Sequence, residues 1–172
     1  KLDQWGHLRW SFSIFGSDLA TPENLDIGPD GTVYVTGVFT GACYFTNSSG
    51  LTSSIQLNPG GTEKDIYLAA ISPNGTLLWA QTIGDPGNEG APDLAVDATG
   101  ITLTGIFPST DAIFGGTSST TIFLKRFDLD GMLSWTVIAG STSDDLSTSV
   151  DSDGERIHLG LVAGGGTIRW KN

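Results

Sequence analysis

From Thr32 to Phe39 the chain alternates in character. Val33, Val35 and Gly37 fall on one face of an extended strand, and Tyr34, Thr36 and Val38 fall on the other. Ile101-Thr102-Leu103-Thr104-Gly105-Ile106 repeats the alternation with Ile101 and Leu103 inward, and Ile157-His158-Leu159-Gly160-Leu161 is a third version. A period of two with β-branched residues is what a half-buried strand requires. Helical periodicity is almost absent, and glycine and proline recur too often along the chain to leave room for a long helix.

Between these strands a second pattern recurs. Gly-x-x-x-Trp stands at Gly6–Trp10, Gly75–Trp79 and Gly131–Trp135, each copy preceded by a polar turn and followed by an apolar strand closed by glycine. Aligning the copies predicts four strand positions per unit. The first is Asn24–Ile27, Asp93–Val96 and Ser147–Val150, and the second is the alternating run. The third is Asp65–Ile71 and Thr121–Phe127, and the fourth is the tryptophan strand, such as Leu77–Ile83. The expected architecture is all-β: a single domain over 1–172 of about three four-stranded antiparallel units, at roughly 1–72, 73–127 and 128–172, each a β-propeller blade. A Gly/Ser/Asn-rich insertion, roughly Thr46 to Gly61, reads as an outer loop or extra hairpin of the first unit.

Gly28-Pro29-Asp30-Gly31, Val33–Gly37, Asp65–Ile71 and Asn74–Trp79 together resemble the bacterial SBBP β-propeller repeat. The second unit matches through Ala95-Val96-Asp97, Leu103-Thr104-Gly105 and Phe123-Leu124-Lys125, while His158-Leu159-Gly160 departs from the pattern. The resemblance covers nearly the whole chain and implies a secreted or cell-surface protein. It names no activity.

Thr167-Ile168-Arg169-Trp170-Lys171 matches Thr121–Lys125, which predicts a third-position strand at the end of the sequence. The alternative, a fourth Gly-x-x-x-Trp copy at Gly166–Trp170, leaves the last unit without a third strand. On the preferred reading the chain starts and stops at one phase of its repeat. Three units are fewer than the about four to eight that close a propeller. The expectation is therefore a fragment of a longer protein or a homo-oligomer, its partners being other subunits or further blades of the same chain.

Charge narrows the partners. Only 16% of the 172 residues are charged, and the net charge of -11 argues against nucleic acid, since phosphate binding needs clustered Lys and Arg. No segment approaches the about 18–20 apolar residues that span a bilayer. The single cysteine, Cys43, lies beside Tyr44 and Phe45 and reads as a buried small hydrophobe.

The search for chemistry is largely negative. The two histidines, His7 and His158, have no His or Cys at ligand spacing, which argues against zinc. No Gly-x-Ser-x-Gly elbow and no phosphate-cradling loop is present. Ser72–Trp79 departs from the sialidase turn it loosely resembles, lacking its aspartate and one residue of spacing, so no enzyme is expected. Asp151, Asp153 and Glu155 place carboxylates on alternate residues, a spacing that can wrap calcium, although such residues also favour turns without metal. Trp10, Trp79 and Trp135 are expected to pack between blades. Trp5 and Trp170 fall outside that position and are the candidates for exposed contact, with a glycan as the ligand of a lectin-like alternative. Asn47-Ser48-Ser49 and Asn74-Gly75-Thr76 are glycosylation triplets.

Overall fold

A computed structural model of the chain describes residues 1–47, 63–84, 87–114 and 119–172. In chain order its strands are β1 (Phe12–Gly16), β2 (Leu19–Ile27), β3 (Val33–Thr40), β4 (Cys43–Asn47) and β5 (Asp65–Ile71). Next come β6 (Leu77–Ile83), β7 (Gly90–Asp97), β8 (Gly100–Ser109) and β9 (Ser119–Phe127). The last are β10 (Leu133–Gly140), β11 (Leu146–Ser152), β12 (Ile157–Val162) and β13 (Arg169–Lys171). The only helical turn among the described residues is Ala112–Phe114. The protein is all-β.

The first main sheet is the antiparallel meander β2-β3-β5-β6, and the second is β7-β8-β9-β10 extended by β13. β11 and β12 form a two-stranded sheet, and β1 pairs with β4 in another. The described sheets form no closed ring. The first two sheets match the four expected strand positions. Most of the insertion, residues 48–62, lies outside the described residues; Thr46 and Asn47 belong to β4.

Three turns close in one way. Asp3, Ser72 and Asp128 each donate their backbone N–H to the residue four ahead, at 3.0, 2.8 and 2.9 Å. Their side chains accept the N–H of that same residue, so His7, Thr76 and Met132 are held from both sides. The glycine between, Gly6, Gly75 or Gly131, has φ of 84°, 83° or 87°, a left-handed conformation that costs residues with a Cβ about 1–2 kcal/mol. The polar residue and the glycine that mark the motif in sequence are thus the two parts of one turn.

The sheets stack face to face in series. Val38, Ile66 and Leu68 of the first meet Ile101, Leu103 and Phe123 of the second. Ala95 and Leu124 of the second meet Val150 of β11. On the far side of the first sheet, Val35, Phe39 and Tyr67 pack on Phe45 of β4 and on Phe12 and Ile14 of β1. Each buried Val, Leu, Ile or Phe contributes about 1.5–3 kcal/mol, whereas an exposed pair such as Arg9–Asp3 contributes about 0–1 kcal/mol. The stacking faces therefore hold the layers together.

Two expectations are corrected. Arg169–Lys171 is no third-position strand: β13 pairs with β10, the fourth strand of the second sheet, and β12 pairs with β11 alone. The third unit is consequently two-stranded rather than four-stranded. β13 does what β4 does for β1, following the second strand of one unit and pairing with the tryptophan strand of the unit before. That placement satisfies backbone groups on an edge that would otherwise face solvent.

Candidate functional site

The seam between sheets explains what the repeated tryptophan does. Its ring does not pack on the glycine of its own motif. Trp10 lies against Gly75, where an added Cβ would come 2.9 Å from the indole, and Trp79 lies against Gly131, where the distance would be 3.2 Å. Trp10 and Trp79 therefore each seat the turn of the next sheet. Polar contacts fasten the join: Trp10 Nε1 donates to the Pro73 carbonyl at 2.8 Å, and Gln81 donates to the Gly131 carbonyl at 2.9 Å. Tyr34, tilted against Trp79 with ring centroids 6.1 Å apart, donates its hydroxyl to the Leu129 carbonyl at 3.3 Å.

First strands are joined by carboxylates. Asp26 on β2 accepts the Val96 N–H at 2.7 Å, and Asp93 on β7 accepts the Val150 N–H at 2.7 Å. Asn24 also hydrogen-bonds Asp93 across the first seam. Farther along the second seam, Asp97 holds Arg126 at 2.7 Å and accepts the Ser152 hydroxyl at 2.5 Å. Burial alone would raise the Asp97 carboxyl, but hydrogen bonds from Arg126, Ser152 and Thr99 outweigh it and hold it far below the usual range.

The series ends in two open contacts. Among the described residues, no atom beyond its own chain neighbours comes within 4 Å of the position a Cβ would take at Gly6, and Trp135, 38% exposed, belongs to none of the apolar clusters. Leu25 shows what is uncovered. It pairs with Val35 as Leu94 pairs with Leu103, and both partners stand two residues before a glycine, Gly37 or Gly105. Leu94 is 4% exposed beneath the first sheet, whereas Leu25 is 59% exposed. Leu25, Ile27 and Val33 face Trp10, Phe12 and Ile14 across an apolar groove of about 680 Å³. Such a groove suits an apolar or polypeptide partner better than a charged one.

A buried acid pair lies near the opposite end of the first sheet. Asp65 and Glu89 are 7% and 3% exposed, and they hydrogen-bond to each other. Burial pushes the Asp65 carboxyl up, helped by the charge on Glu63 and opposed by the bond from Glu89. Cys43 is buried and its thiol is pushed up to about 11, which suppresses nucleophilicity.

The residues singled out in the sequence are dispersed. Trp5 occupies the Asp3–His7 turn, 71% exposed, and Trp170 stands on β13, 56% exposed. His7 bonds Asp3, and His158 is exposed on β12. Asp153 accepts the N–H groups of Glu155 and Arg156, which holds its carboxyl low, while Asp151 accepts that of Ser152. Asp151, Asp153 and Glu155 are not brought together: among the described residues no three His, Cys, Asp or Glu side chains gather at metal-ligating spacing. Among the described residues no helix is long and apolar enough to cross a membrane. The groove and the Asp65–Glu89 pair went unnoticed in the sequence. Two large apolar residues two positions apart on a first-position strand, Leu25 and Ile27, were the signal in the sequence.

No known family model matches the chain, and no curated protein does.

Proposed function

We propose that this chain is built of β-propeller blades of the SBBP-repeat type and serves as a structural and interaction module, secreted or exposed on the cell surface. The observation that carries the reading is the repeated seam: Trp10 on Gly75, then Trp79 on Gly131. Stacking by one rule is how blades follow one another around an axis. The carboxylates at the second seam hold structure, Asp97 being occupied by Arg126, Thr99 and Ser152 and Asp93 by the Val150 N–H, which favours a binding module over a catalyst. Its composition, poor in charge and carrying one buried cysteine, suits exposure outside the cell.

Protease shaving of intact source cells, followed by mass spectrometry of the released peptides and the medium, tests the location. Recovery of this chain in either fraction supports the reading, and its confinement to the cytosol overturns it. The exposed rings of Trp5 and Trp170 favour a second reading, a carbohydrate-binding propeller. A glycan array on which Trp5→Ala or Trp170→Ala loses signal without losing stability would select it.

A further inference from the structure

We infer that a second copy of this chain docks head to tail, the β11–β12 sheet and Trp135 of one copy meeting the N-terminal turn and β2–β3 face of the next. The inference rests on the stacked-blade reading above and adds the partner and the residues. Both halves of the seam are present and unused at opposite ends of the stack. Among the described residues, Trp135 has no turn glycine on its ring and Gly6 has no ring against it. Gly6 closes a turn bonded like those of Gly75 and Gly131, the two glycines that do receive a tryptophan.

A second, independent pair gives the same docking. Asp26 lies opposite Tyr34, and Asp151 lies opposite His158, each facing the second residue of its partner strand. Both carboxylates accept the N–H of the following residue through Oδ1, at 2.7 and 2.8 Å. Asp26 uses its other oxygen to hold the first strand of the next sheet. On the exposed side of β11, Asp151 stands in the same place and presents an acceptor to a facing first strand. β2, with Leu25 and Ile27 each 59% exposed, is the first strand whose covering sheet is missing. Apolar burial, carboxylate and tryptophan thus agree on one arrangement, a heterologous contact that either closes a ring or continues as a series.

Sedimentation velocity of the 172-residue chain, from micromolar to submillimolar concentration, reads the association. The expected result is a reversible rise in mass, weakened at least about tenfold by Ile27→Glu or Trp135→Ala. The precedent of Asn24 on Asp93 sets a second measurement, since Ser149 precedes Asp151 as Asn24 precedes Asp26, two residues away. Asn24→Cys and Ser149→Cys chains should cross-link when mixed and not when kept apart. A monomer at every concentration, or association untouched by these variants, overturns the docking. If the monomer's Trp79–Gly131 contact persists by NMR, only the docking falls; if that contact is absent too, the blade reading falls with it.

Discussion

Trp79 packs against Gly131, the turn glycine of the following sheet, and not against Gly75, the glycine four residues before it in its own motif. One sequence motif therefore contributes its two residues to two different seams. Trp79 also joins the core cluster between the first two sheets, while Trp135, at the same motif position, joins none. Trp79→Ala should destabilise the chain by about 3 kcal/mol. Trp135→Ala should stay within about 0.5–1 kcal/mol when the chain is monomeric. Urea unfolding at low protein concentration separates the two.

The glycines carry a parallel contrast. Alanine at Gly75 meets both a left-handed backbone and the Trp10 ring; alanine at Gly6 meets only the backbone. Gly6→Ala should cost about 1 kcal/mol and Gly75→Ala about 1–3 kcal/mol more. Thermal melts of the two variants, read together, test this.

Arg126 and Asp97 form a buried pair, their side chains 10% and 7% exposed. Arg126→Met leaves the carboxylate uncompensated and should cost about 3–5 kcal/mol at neutral pH. A depressed folded-state pKa stabilises above the unfolded value of about 3.9 and loses that contribution as pH falls through the folded value. The penalty of Arg126→Met should therefore shrink in acid, as Asp97 in the variant takes up a proton. Unfolding free energies across acidic pH give the slope.

Asp65 has the opposite sign. Its folded pKa is raised by burial, so its contribution is full below the unfolded value and is lost as pH rises through the folded value. Asp65→Asn should flatten this dependence and leave the protein no less stable at neutral pH than the parent. Greater loss for the variant at neutral pH than in acid would contradict the assignment.

Cys43 is fully buried, with its thiol pushed up to about 11. A thiol reagent at mildly alkaline pH should leave the native chain unmodified and label it only after denaturant is added. The rate, followed by absorbance, should track global unfolding.

The strands of the first two sheets were legible because their cause is local. Alternation along Val33–Val38 and the polar residue and glycine at Ser72 and Gly75 are read within a few residues of chain. The Arg169–Lys171 strand was misread for the same reason. Its sequence resembles Thr121–Lys125, but pairing is decided by which edge lies open, and that edge belongs to β10. Asp151, read as a candidate calcium ligand, faces outward at the place where Asp26 grips a neighbouring sheet.

By itself the sequence determined the strands, their turns and the recurrence of Gly-x-x-x-Trp, since dihedral preference and side-chain alternation act over neighbouring residues. Only the tertiary structure decided that Trp10 and Trp79 serve the next sheet's glycine, that Leu94 is covered while Leu25 is not, and that Asp65 and Glu89 share a buried bond. Those facts depend on which faces meet, and burial is set by surfaces brought together from distant parts of the chain.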